Sequence, residues 1–431
     1  MLYSIPFIVL IAAMLVGVPI AFSLAFAGAV GIWLVTGDIG VLMGLVGSSL
    51  YGTVSEYNLT TIPMFILMAY FASSSGVARQ LYTCGANWLS NIRGGLAVAT
   101  VFATAVFGAL SGASSASAAV MSQIAMPNMR EHGYAEELAA GAIAVGATTD
   151  ILIPPSVALV IYGLLTDTSI GDLLIAGVFP GILLGLLLAV AILVWVWIKP
   201  SLAPDTYRMS WRDRFTSTRG VWPGIVLIFS IIGLLYSGIA TPTECAALGC
   251  TSTLIMATAL RQMTWARIIE SAKATLDTTA MIFMILAGAG IFGAFLTLSR
   301  LPQNLVTWVI SMDLNRWVVM VCIIVAYFVI SMFMDELPLM ILTLPLTFPL
   351  ITSLGFDPVW FGVMTMLMVA MGLVFPPVGL TAFVVAASAK VDLVKVYKGT
   401  SVLIVAIFAT TILVMIFPEI ALFLPRSMRA H

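Results

Sequence analysis

Apolar runs of seventeen residues or more recur from one end of this chain to the other. Each is about long enough to cross a hydrocarbon core roughly 30 Å thick as a helix. Lipid is therefore the solvent in which such a chain folds. Of 431 residues, 61% are hydrophobic and only 9% charged, against about 25% charged in an ordinary soluble domain. The chain opens Met1-Leu2-Tyr3-Ser4 without a basic stretch, and its first run continues through Gly17-Val18-Pro19 into a second. A retained N-terminus is expected rather than a removable signal peptide.

Several chemistries find little to work with. A net charge of -1 gives no reason to expect a nucleic-acid partner. Cys84, Cys245, Cys250 and Cys322 lie far apart without the CxxC spacing of a metal or redox site, and read as small packing residues. The two histidines, His132 and His431, leave no basis for a His-ligated metal or a His-based triad. An intramembrane enzyme needs a catalytic constellation, and neither HExxH nor GxSxG occurs. The chain reads as a non-enzyme without a cofactor.

A shift of 222 residues aligns Pro127 with Pro349, Gly133 with Gly355, Tyr134 with Phe356, Pro154-Pro155 with Pro376-Pro377, and Gly177 with Gly399. Pro19 falls against Pro242 at a shift of 223. A constant offset with elements in equal order marks an internal repeat, covering residues 1–200 and 221–431 with a cytoplasmic linker at 201–220. Each half begins with two short spanning helices (2–16 and 19–36; 221–237 and 243–260). An amphipathic segment (39–55; 261–277), a third span (59–76; 278–298) and a surface helix (77–92; 300–314) follow. Residues 94–131 then hold two apolar arms around the small centre Leu110 to Ser117, and 316–352 hold two arms around Met334-Asp335-Glu336-Leu337-Pro338. Each is either a pair of crossings or one re-entrant hairpin. Long apolar segments at 134–166 and 356–388 come next, interrupted by Pro154-Pro155-Ser156 and Pro376-Pro377. Paired prolines break a helix, because two backbone donors vanish and the rings clash with the preceding turn. A last span, 172–199 or 398–424, ends each half.

With hairpins, each half crosses five times, and an odd count inverts the second copy relative to the first. If the N-terminus is outside, Arg300, Arg316, Arg426 and Arg429 face out and the other fourteen of the 18 basic residues, including Arg79, Arg93, Arg130, Arg208, Lys390 and Lys395, face in. That asymmetry is the one topology selection produces. Both termini are then expected in the periplasm. The fold class expected is an all-α polytopic inner-membrane protein, two inverted repeats of five transmembrane helices plus one re-entrant hairpin each.

Broken helices in lipid are tolerated where they line a cavity or bind something. Half-helix N-termini offer positive dipole ends to an anion, while unwound carbonyls and hydroxyls coordinate a sodium ion. In the first tip Ser111, Gly112, Ser114, Ser115 and Ser117 supply hydroxyls and close backbone approach, facing Gly146, Thr148, Thr149 and Asp150. In the second, Met334, Asp335 and Glu336 face Thr365 and Gly372. Asp150, Glu244, Asp335 and Glu336 are ionisable groups within apolar stretches, functional by default. Glu244, following Thr241-Pro242-Thr243, reads instead as a structural charge in a first helical turn. A shallow second tip would let Glu336 pair near Arg316. Met364, Met366, Met368 and Met371 read as packing.

The stretches Ser111 to Ser115, Pro127, Gly133-Tyr134, Ala139-Ala140-Gly141, Ile151 to Ser156, Ile161-Tyr162-Gly163 and Ile175-Ala176-Gly177 closely resemble the large membrane subunit of tripartite ATP-independent periplasmic (TRAP) transporters. So do Thr241 to Glu244, Met334-Asp335, Leu344-Pro345, Gly355 to Pro358, Trp360-Phe361-Gly362 and Pro376 to Leu380. The resemblance spans the whole chain. It implies an elevator-type, sodium-coupled secondary carrier of the ion-transporter superfamily. It also implies a small four-helix membrane subunit and a periplasmic binding protein that delivers an organic acid. The family's sodium sites would fall at the Ser111–Ser115 tip with Gly146, Thr148 and Asp150, and at Met334, Asp335 and Glu336 with Thr365 and Gly372. Pro154, Pro155, Ser156, Pro376, Pro377 and Gly379 would line the substrate. Thr149-Asp150 departs from the family's usual Leu-Gly, and Glu336 from a frequent Gly, which leaves ion stoichiometry and sodium against protons open. An autonomous sodium- or proton-coupled dicarboxylate carrier, needing no binding protein, is the alternative expectation.

Overall fold

The computed structural model describes residues 2–204 and 209–429; Arg208 and His431, read above as a basic linker residue and a terminal histidine, lie outside the described residues, as do the side chains of Arg219 and Arg429. Helices account for all regular structure among the described residues. The first half runs α1 (Ile5–Leu15), α2 (Ile20–Thr36), α3 (Ile39–Val54), α4 (Thr61–Ser74), α5 (Val77–Leu89), α6 (Gly95–Ser111), α7 (Ser114–Glu131), α8 (Glu136–Ala147), α9 (Val157–Thr166), α10 (Ile170–Ala176) and α11 (Val178–Ile198). The second runs α12 (Trp211–Tyr236), α13 (Pro242–Ala259), α14 (Trp265–Ser299), α15 (Leu301–Ser311), α16 (Arg316–Ser331), α17 (Glu336–Ser353), α18 (Pro358–Gly372), α19 (Leu380–Ala389), α20 (Leu393–Ile416) and α21 (Glu419–Arg429). Four stretches among the described residues are long and apolar enough to cross a membrane: 170–198, 265–299, 336–353 and 393–416; counting two bent pairs as spans makes six. The outer surface suits lipid, since Leu15, Val16 and Trp197 are each more than four-fifths exposed.

Three boundaries differ from the sequence expectation. The amphipathic segment and third span are separate in the first half, broken at residues 55–60, but α14 runs unbroken for 35 residues. No proline interrupts that stretch, whereas Pro63 sits in the first turn of α4. The last span ends at Ile416, before Pro418, and α21 is a separate helix; proline following a C-cap cannot continue the turn. The helix expected to start at 221 begins at Trp211, inside the linker stretch, capped by Ser210.

Both polar-centred segments fold back on themselves. Leu96 N donates to Tyr134 Oη at 3.3 Å and Thr100 Oγ1 to Met129 Sδ at 3.4 Å, tying the outer ends of α6 and α7. In the second, Thr343 Oγ1 donates to Tyr327 Oη at 2.8 Å, and the Trp317 and Phe356 rings meet at 5.1 Å. The bases of these hairpins sit at opposite ends of α20. Lys395 Nζ reaches Glu136 at 2.8 Å at one end, while Trp360 Nε1 donates to Val414 O at 2.9 Å at the other. With a rise of about 1.5 Å per residue, those anchor points are roughly 28 Å apart, close to a hydrocarbon thickness.

Basic residues expected on one side gather at the first end. Arg93 donates to Pro200 O and Ala203 O, Arg130 to Lys390 O and Glu136, and Lys199 to Glu137. Arg316 lies at the other end, over the Trp317 and Phe356 rings. It is thus a base residue and no partner for Glu336. Each hairpin's second arm packs on the other half's broken segment, α7 on α19 and α17 on α9. α8 and α20 cross so closely that a Cβ on Gly399 would lie 2.0 Å from Glu137 O.

Candidate functional site

The first tip is a two-residue turn, with Gly112 at φ +63° closing α6 before α7 starts at Ser114. Behind it α8 ends at Ala147, residues 148–151 tighten into a 3-10 turn, and α9 restarts at Val157. Ser156 spans this break: its Oγ donates to Ile151 O at 2.7 Å and accepts from Leu159 N, capping α9. Asp150 is 2% exposed, and a buried carboxylate is costly without donors. Two hydroxyls from the tip supply them. Ser114 Oγ donates to Asp150 Oδ1 at 2.6 Å and Ser117 Oγ to Oδ2 at 3.2 Å, while Ser111 bonds Ser117. Gly108 makes room, since a Cβ there would fall 2.3 Å from Asp150 Cβ.

The second tip is built differently. Ser331 Oγ donates to Met368 O at 3.2 Å, Gly379 N to Met332 O at 3.0 Å, and Thr381 N closes the break onto Leu373 O at 3.0 Å. A Cβ on Gly372 would lie 1.9 Å from Ser331 Oγ. Backbone contact thus pins this tip to its broken helix. Among the described residues, no hydroxyl donates to its acids. Asp335 precedes α17 without capping it, and the neighbouring Glu336, 6% exposed, has an Oε2 with no hydrogen-bond partner. Thr365 Oγ1, one turn before Met368, is likewise buried and unpartnered.

Both tips open on one cavity of about 250 Å³. Ser111, Gly112, Ala113 and Ser115 come from the first tip, Asp335, Glu336 and Leu337 from the second, and Val157 from the start of α9. The opposite wall is α4 and α14, where Tyr70 Oη bonds Thr278 Oγ1 at 2.9 Å beside Ser73. No Lys, Arg or His is among its described walls. Among the described residues, no three His, Cys, Asp or Glu side chains converge as ligands of one metal ion. The oxygens on offer to a cation here are hydroxyls and carbonyls with one or two carboxylates, a hard oxygen set.

The sequence model of the tripartite ATP-independent periplasmic transporter DctM component matches residues 7–420. This chain belongs to that family. It is 35% identical over 407 residues to the C4-dicarboxylate TRAP transporter large permease DctM of Pseudomonas aeruginosa, covering 94% of this chain and 93% of that one. It is 32% identical to the ectoine TRAP transporter large permease TeaC of Halomonas elongata, covering 96% and 97%. Among solved structures, the YdaH transporter of Alcanivorax borkumensis shares its fold with a TM-score of 0.63 at 14% identity, covering 96% of this chain and 98% of that one. The TRAP chain is a transporter permease, not an enzyme.

The TRAP permease brings Ser111, Ser114, Ser117 and Asp150 into direct contact, and places Ser115, Asp335 and Glu336 on the cavity. Thr148 and Thr149 donate to Val145 O and Gly146 O of their own segment. Gly146 lies against Val101 and Thr104 of α6. Met334 is half-buried against the core. Pro154, Pro155, Pro376 and Pro377, with cis bonds within each pair, open the backbone behind the tips and are not among the cavity walls, nor are Ser156 and Gly379. Glu244 forms a capping box with Thr241, as its position in a first turn predicts. Met364, Met366, Met368 and Met371 are buried packing. Sequence reasoning did not single out Gly108, Ser331, Tyr70 or Thr278, because close approach and cross-helix pairing leave no local pattern.

Proposed function

We propose that this permease imports a small organic acid, driven by sodium, with its hairpins and broken helices moving as one elevator-type body against the other helices. Residues 1–200 and 221–431 act as inverted repeats of the inner membrane, with 201–220 on the cytoplasmic side and both termini in the periplasm. A small four-helix membrane subunit and a periplasmic binding protein complete the transporter. The dicarboxylate and ectoine relatives support an organic acid as the solute. What carries the reading is that hairpins based at opposite ends of α20 bring their tips to one cavity.

One sodium ion sits at the first tip among Ser111, Gly112, Ser114 and Ser115, with Gly146, Thr148 and Asp150 behind. Donating hydroxyls keep their lone pairs, so the Ser114, Ser117 and Asp150 network remains able to ligate. A second sits by Met334, Asp335, Glu336, Thr365 and Gly372, where the Asp335 carboxylate and the partnerless oxygen of Thr365 support it. The solute lies between the tips. Uptake into proteoliposomes holding the complete transporter should require an inward sodium gradient, and Asp335→Asn should abolish it while leaving the chain inserted. Uptake indifferent to sodium would refute the coupling; full-rate uptake by this chain alone would refute the tripartite assembly.

A further inference from the structure

The cavity is electrically lopsided. At its first-tip wall, α7 begins at Ser114, so the partial positive charge of an 18-residue helix and the free amides of its first turn face inward. Ser115, exposed, adds a hydroxyl there. Such a wall suits a carboxylate once the sodium ion proposed at the first tip offsets the Asp150 carboxylate that Ser114 and Ser117 hold behind it. The second-tip wall carries Asp335 and Glu336, and no basic side chain stands among the described walls to offset them. One sodium ion against Asp335 neutralises one of these charges. Glu336 remains, buried, lining the cavity, with Oε2 partnerless. A second carboxylate on the solute would stand against it in a poorly screened space, where like charges repel strongly.

We propose that the solute of this permease is a small zwitterion whose carboxylate lies at the first tip, on Ser115 and the start of α7, and whose cationic nitrogen pairs with Glu336. The inference rests on the reading of this cavity as the transport site. Tyr70, Ser73 and Thr278 supply neutral hydroxyls on the facing wall, which suit the polar middle of a solute without adding charge.

The test is binding to the full-length chain in nanodiscs, by calorimetry, with ectoine and γ-aminobutyrate as zwitterions and succinate and glutarate as dianions, in sodium and in choline buffer. Sodium-dependent binding of at least one zwitterion, about tenfold or more tighter than either dianion, is expected. Glu336→Gln should erase that preference by weakening the zwitterions more than the dianions. Dianions binding as tightly as the zwitterions, or a preference unchanged in Glu336→Gln, would overturn the proposal; in either case sodium dependence of the dianions would leave the sodium-coupled reading standing. Binding of neither class, in sodium or choline, would overturn both.

Discussion

The two tips occupy equivalent places in the two halves, yet they hold their acids in opposite ways. At the first, Asp150 comes from the broken helix and the hydroxyls from the tip, so the carboxylate is satisfied across the joint. At the second, the acids belong to the tip itself and take no part in the joint, which is made by the Gly379 N to Met332 O bond and the Ser331 hydroxyl on Met368 O. One tip is a closed polar network and the other is left wanting a cation. A buried charge with its donors in place rigidifies, whereas one without them is held in reserve for a ligand.

The largest effects should come from the close approaches under each tip. Gly108→Ala drives a methyl into Asp150 and Gly372→Ala into Ser331 and Phe328 O. Each should cost about 1–3 kcal/mol or more through overpacking, read as a lower unfolding temperature in detergent. A neutral result at either would break the account of that joint.

Next, two acid-to-neutral substitutions should differ in sign. Asp150→Leu strands the Ser114 and Ser117 hydroxyls and should destabilise by about 1–3 kcal/mol. Glu336→Gln removes a charge that has an unpaired oxygen, and in sodium-free buffer should leave stability unchanged or raise it by up to about 2 kcal/mol. Equal losses at both would erase the contrast. Saturating sodium should separate Asp335→Asn from Glu336→Gln, because a ligand at about 100 times its Kd adds about 2.7 kcal/mol only to chains that bind it, and Asp335→Asn should lose that gain.

The smallest effect lies at the solvent-exposed start of α20, where Glu136 joins Lys395 of α20 and Arg130 of α7. The hydrogen bond from Lys395, opposed by partial burial and aided by Arg130, holds its carboxyl below the usual range. A depressed value means the contribution is present above the ordinary carboxylate pKa and is lost as pH falls through the lowered one. Glu136→Gln should cost under about 1 kcal/mol at neutral pH and low salt, and nothing in strong acid. A pH-independent cost would show that packing, not charge, is lost.

Much of this contrast was legible in the residues. The 222-residue offset placed both tips opposite both proline breaks, and ionisable residues in apolar runs singled out Asp150, Asp335 and Glu336. What could not be read was pairing. Asp150 and Ser114 are 36 residues apart, and nothing local joins them. The repeat also misled at α14, since similar positions in the two halves carry a break in one and a continuous helix in the other. Gly108 and Gly372 look like ordinary small residues in apolar helices, and only packing reveals what lies against them.

The central claim is that the hairpins enter from opposite faces and meet midway. Single cysteines placed at the exposed Glu131 and Leu314, next to the two hairpin bases, and at Ser115 in the first tip, in a chain freed of its native cysteines, test it with an impermeant maleimide applied to sealed right-side-out vesicles. The account predicts rapid labelling at 314, none at 131 until the vesicles are opened, and slow labelling at 115. Rapid labelling of both 131 and 314 from the same side would contradict it.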